Sequence, residues 1–129
     1  MELLAFLKDY DDIISGKSKS EMDVQSCEKK LGVTFSEDYR QCIMKYGFIM
    51  VNGHEIAGIS SESNLNVVEL TQIEREKKKN LKIPADWYVI ENLQIDDVYI
   101  WQSSTGEIFQ TTPTEMRKLG DSLKEYIAR

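Results

Sequence analysis

One histidine, His54, and two cysteines, Cys27 and Cys42, are all that this 129-residue chain offers in soft metal ligands and thiol or imidazole chemistry. Zinc takes three or four Cys, His or carboxylate ligands, and no paired-cysteine or His-Glu-x-x-His spacing is present to supply them. His54 adjoins Glu55 in a predicted strand, where neighbours point to opposite faces, so the two form no catalytic dyad and His54 reads as a polar rim residue. The cysteines fall on inward positions of separate predicted helices and read as buried thiols, with no disulfide expected in a reducing compartment. Seven glycines are scattered and never build the close repeat that cradles phosphate. Asp96 and Asp97 are adjacent acids in a predicted loop, exposed and both ionised, which does not suit a general acid–base pair. The expectation is a protein that is not an enzyme, with no catalytic residue, no metal and no cofactor.

Long apolar runs are also missing. Nothing approaches the roughly 18 residues of a membrane span, and Met1-Glu2-Leu3-Leu4 runs into Lys8, Asp9, Asp11 and Asp12 without the pattern of a secretory signal. A cytoplasmic protein with no membrane partner is expected. Basic residues are the minority, 16 against 22 acidic, for a formal charge of -6. Direct nucleic-acid binding needs a basic surface and is not expected. The one basic block, Arg75, Lys77, Lys78, Lys79 and Lys82, reads first as a solvated helix end and second as a phosphate-binding patch.

With a 41% hydrophobic share, the chain has enough apolar content for one soluble domain spanning 1–129. Its organising stretch is Trp87 to Thr111. Three β-branched and aromatic runs, Trp87 to Ile90, Val98 to Trp101 and Ile108 to Phe109, are separated by polar reversals through Leu93 to Asp97 and Ser103 to Gly106, which predicts an antiparallel meander. Alternation sets Trp87 and Val89 opposite Tyr88 and Ile90, and Val98 and Ile100 opposite Tyr99 and Trp101. Helices are expected on one face, with aromatic and amide side chains partly exposed on the other.

Before the meander, Leu3, Phe6, Leu7, Tyr10 and Ile14 predict an opening helix that ends at Ser15-Gly16. Val24, Cys27 and Leu31 mark a second helix with Gly32 just beyond its end. Ser36 caps a third, with Tyr39, Cys42, Ile43 and Tyr46 inward and Gly47 closing it. Asn52-Gly53 predicts a two-stranded hairpin between Phe48 to Val51 and His54 to Ala57. Val68, Ile73 and Leu81 predict a fourth helix ended by Pro84. Thr112, Pro113 and Glu115 read as a capping box opening a closing helix with Met116, Leu119, Leu123 and Ile127 inward. The sum is an α+β single domain, an antiparallel meander with helices packed against it.

Acids at strand ends, Glu91, Asp96, Asp97 and Glu107, flank Tyr99, Trp101 and Gln102. These seven residues form the candidate partner-binding surface, an aromatic middle with an acidic edge suited to a basic protein. The alternative is that Trp101 is core and the acids are ordinary solvated loop residues.

Glu28, Leu31-Gly32, Phe35, Tyr39 and Lys45-Tyr46-Gly47 together resemble the opening motif of the SUKH superfamily, the SMI/KNR-like domains. Phe35-Ser36 stands where Leu-Pro is usual in that family, and Gly47 follows tyrosine where asparagine is usual. The Gly53 to Gly58 segment, Asp86 to Glu91, Asp96-Asp97 through Ile100, and Gly106-Glu107-Ile108 match its later pieces in order, over Val24 to Ile127. The resemblance implies a small bacterial immunity protein that neutralises a cognate polymorphic or contact-dependent toxin, often a nuclease domain, by direct contact. Its other branch implies an intracellular scaffold or regulatory adaptor in cell-wall signalling. Monomer and homodimer both stay open.

Overall fold

The computed structural model describes residues 2–129. Its helices are α1 (Leu3–Leu7), α2 (Glu21–Leu31), α3 (Glu37–Tyr46), α4 (Val67–Lys77) and α5 (Leu123–Ala128); its strands are β1 (Ile14–Ser15), β2 (Ile49–Val51), β3 (His54–Ile56), β4 (Tyr88–Asn92), β5 (Tyr99–Gln102), β6 (Ile108–Thr111) and β7 (Met116–Gly120). They form two antiparallel sheets, β1-β2-β3 and β4-β5-β6-β7. The α+β architecture with a central meander is as the sequence predicts.

The helix ends follow local chemistry. Ser20 and Asp23 make a reciprocal capping box at α2, and Gly32 ends it in the left-handed conformation at φ 68°. Ser36 caps α3 by accepting from the Tyr39 N–H. The link between the two helices is held by Glu28, whose carboxylate accepts the Phe35 N–H at 2.8 Å and pairs with Arg40. The family-like glutamate thus has a structural task. So does Gly58: a Cβ there would lie 1.9 Å from the carbonyl oxygen of Gly47, so only glycine lets these two backbones meet.

Four expectations are corrected. The opening helix stops at Leu7, and Ile14 instead pairs with Met50 at the edge of the small sheet; between them Tyr10 and Ile13 still pack against the core, from irregular chain. The ribbon therefore has three strands. The closing helix begins only at Leu123, because Met116–Gly120 pairs with β6 as a fourth meander strand. Thr112 does accept the N–H groups of Thr114 and Glu115, but this side-chain-to-backbone chemistry serves equally in a turn between strands. In α4 the buried positions are Val67, Leu70, Thr71 and Glu74, whereas Ile73 is 54% exposed. The helix is rotated so that Thr71 can accept the Val89 N–H at 2.8 Å.

The fourth correction concerns the second face of the meander. Tyr88, Ile90, Ile100 and Ile108 pack into the main core with α2, α3 and α5 residues. Trp87, Val89 and Trp101 face the other way, yet they too are buried, with Leu70 of α4, Ala57, Ile83 and Phe109. Trp87 stacks on Phe109 with centroids 3.9 Å apart. Both tryptophans are covered on this face, and only Tyr99 and Phe109 keep part of their rings at the surface.

Candidate partner-binding surface

Of the seven expected surface residues, three lie inside. Trp101 and Gln102 are fully buried and Glu91 is 3% exposed. Trp101 donates its indole N–H to Thr111 Oγ1 at 2.8 Å, so its polar end is satisfied internally. Gln102 accepts from the Tyr88 hydroxyl at 2.8 Å and donates to the Gly106 carbonyl at 3.1 Å. None of the three can touch a partner in this conformation.

Glu91 is turned inward by a β-bulge between Val89 and Glu91, which sets it opposite Ile100 on the main-core side. There it accepts the Tyr126 hydroxyl at 2.6 Å and the Glu55 N–H at 2.6 Å, and meets His54 Nδ1 at 3.1 Å. This carboxylate stands in for a missing backbone partner between the two sheets, beside the Ala57 N–H bonded to the Ile90 carbonyl. Burial first, then Glu91, pushes the Tyr126 hydroxyl well above its ordinary pKa. A carboxylate, an imidazole and a phenol do meet, but all three knit β4, β3 and α5 together.

The remaining four, Asp96, Asp97, Tyr99 and Glu107, reach the surface. Glu107 is spent on an ion pair with Lys118 at 2.8 Å. Asp97 accepts from Lys77 at 3.2 Å and lies 3.8 Å from Lys78. Lys78 is buried, paired with Glu74 and held 4.5 Å from the centroid of the half-buried Tyr99 ring. Glu74 Oε2 has no hydrogen-bond partner among the described residues, and the Lys77 ammonium stands 3.4 Å away. The hydrogen bond to Asp97, then Glu74, raises the Lys77 pKa.

The basic block is the expected solvated helix end only in part: Lys77, Lys79 and Lys82 are exposed, whereas Arg75 is half-buried and Lys78 buried. Arg75 donates to the carbonyls of Leu31, Ala85 and Trp87 at 3.1, 2.9 and 3.0 Å, Lys78 is interior, and Lys79 pairs with Glu76. Little of that block is left to hold phosphate.

What the β4–β5 connection does present is a strained tip. Gln94, Asp96 and Asp97 adopt positive φ, 59°, 53° and 59°, and the Val98 N–H bonds the Ile95 carbonyl at 3.1 Å, closing a turn with both central residues left-handed. Such conformations cost non-glycine residues about 1–2 kcal/mol each, less for aspartate. The turn exposes two aliphatic side chains, Ile95 at 62% and Leu93 at 37%. Asp96 makes no ion pair among the described residues. The sequence carries a sign of this tip, two aliphatic residues inside an otherwise polar reversal.

Both thiols are free, Cys42 buried and Cys27 partly so. Among the described residues no three His, Cys, Asp or Glu side chains converge as a metal site, and no helix is long and apolar enough to cross a membrane.

A comparison with curated proteins finds no match. The SUKH_5 family model, described as SMI1-KNR4 cell-wall, matches residues 2–128. That match spans nearly the whole chain, including the Glu28 clasp, the Gly47–Gly58 approach and the meander, and the chain belongs to the SUKH family of SMI1-KNR4-like domains.

Proposed function

We propose that this protein is an immunity protein, which binds a cognate polymorphic or contact-dependent toxin in the cytoplasm and neutralises it by direct contact. The toxin is a basic domain, in the first instance a nuclease. The observation that carries this reading is the β4–β5 tip, where strained backbone holds Leu93 and Ile95 in solvent beside Asp96. Lys77 and Lys78 hold the turn from below through Asp97, so Leu93 and Ile95 are kept outward, where a partner can cover them. An aliphatic anchor with an acidic neighbour suits a cationic protein surface, and the charge of -6 favours fast encounter with one. Of the expected interface, Asp96, Asp97 and Tyr99 remain in this proposal, while Ile95 and Leu93 replace Trp101 as anchors.

The test is co-purification with the product of the adjacent reading frame, followed by binding kinetics. Ile95→Ala should weaken the complex by about thirtyfold through faster dissociation, and Asp96→Lys should slow association and flatten its salt dependence. Asp97→Lys is the poorer probe, because it would set a third cation beside Lys77 and Lys78. Unchanged binding by Ile95→Ala and Asp96→Lys would move the contact elsewhere. A neighbouring product that is not toxic, or that does not bind, would favour the scaffold or adaptor role that the cell-wall description of the family suggests.

A further inference from the structure

A second exposed surface lies on the small sheet. Its register sets Ile14 opposite Met50 and Met50 opposite Glu55, so the three side chains cross the outer face in one row. The alternate residues Ile49, Val51 and Ile56 are buried on the inner face. Ile14 is 62% exposed on the edge strand, and Met50 is half-buried. With Asp12, Asn52 and His54 they line a shallow groove of about 300 Å3. No lysine or arginine lines it. Neither Asp12 nor Glu55 has an ion-pair partner among the described residues, whereas Glu107, Asp121 and Asp97 in the connections of the large sheet and Glu74 on α4 do; Asp96 and Glu115 are likewise unpaired but lie on separate turns.

We propose that this face is a docking surface for a cationic, extended segment of a partner protein, with lysine or arginine side chains meeting Asp12 and Glu55 and an aliphatic side chain covering Ile14 and Met50. The charge pattern selects the occupant. A neutral apolar partner would strip water from two carboxylates and return nothing. A second copy of this chain, meeting the same face about a two-fold axis, would bring acid against acid. Methionine at the floor adapts to varied aliphatic shapes. The edge of the other sheet is a weaker candidate, because Arg117 and Lys118 on β7 protect it against strand addition. The inference goes beyond the toxin reading and does not depend on it.

The probe is an alternating lysine–leucine heptapeptide titrated into isotope-labelled protein, followed by amide chemical shifts. Shifts should concentrate at 12–15 and 50–55. Asp12→Lys with Glu55→Lys should weaken the peptide about tenfold or more, and Ile14→Ser should weaken it by a smaller factor, with thermal melts unchanged because these sites are exposed. Glu115→Lys, an exposed acid on the β6–β7 turn, should leave affinity unchanged. Shifts spread over every acidic surface, an equal loss with Glu115→Lys, or no loss with the double variant would each overturn the proposal. Should the double variant melt early, Ile14→Ser alone decides it: unaltered affinity and an unaltered shift map overturn the groove. If a toxin binds through the β4–β5 tip and the peptide does not bind here, only this inference fails. If no toxin is found and the peptide maps here, only the toxin reading fails.

Discussion

The Trp101 indole N–H meets the Thr111 hydroxyl at 2.8 Å across the β5–β6 pair, in the interior between the meander and α4. A large side chain with its one donor satisfied is a core residue, and its truncation acts on folding. Trp101→Ala should cost about 3–5 kcal/mol in urea denaturation. Thr111→Val, which keeps the volume but orphans the N–H, should cost about 1–3 kcal/mol. A Trp101→Ala protein of unchanged stability would contradict the packing.

The buried Glu74–Lys78 pair should behave asymmetrically. Lys78→Met leaves a carboxylate in the interior with only Lys77 nearby, and should lower stability by about 3 kcal/mol. Glu74→Leu combined with Lys78→Met removes both charges and should recover most of that loss. Thermal melts of the two single variants and the double variant measure the coupling.

Alkaline pH should unfold the protein. Burial raises the Cys42 thiol from 9.0 to about 12, and pushes the Tyr39 and Tyr88 hydroxyls upward as well. Above the unfolded values the unfolded chain has released protons that the folded chain retains, so stability falls as pH rises. The contribution is whole below about pH 9, and the Cys42 part disappears between 9.0 and about 12. Each such group adds a slope of at most about 1.4 kcal/mol per pH unit. Urea midpoints that stay level from neutral pH to well above 10 would be inconsistent with these burials.

Gly58→Ala should be among the most damaging small substitutions. The new methyl group would meet a backbone carbonyl, which cannot swing aside as a side chain does. A loss of about 3 kcal/mol, at the upper end for overpacking, is expected in a denaturant titration. Gly53→Ala meets no neighbour within 4 Å, and its cost should reflect only its positive φ.

Where a rule acts within a few residues, the sequence was enough. Ser36 and Gly47 bound α3, Gly32 closes α2, and Asn52-Gly53 turns the hairpin, because caps and tight turns are satisfied by their own neighbours. The Glu28 to Gly47 pattern also identified the family over most of its span. Elements whose identity rests on distant partners do not follow from the local pattern. Ile14 fits a helical period, yet it is a strand because Met50 is there to pair with it. Met116 to Gly120 has helical spacing too, but β6 offers an open edge, and hydrogen bonding to that edge outweighs a weak local preference. The site divided in the same way. Acidic side chains near the reversals could be counted in the sequence, but their exposure could not. A one-residue bulge in β4 turned Glu91 inward, α4 covered Trp101, and the positive φ values at Gln94, Asp96 and Asp97 left Leu93 and Ile95 in solvent. Register and burial depend on contacts between residues far apart in the chain, so only the tertiary structure could decide them.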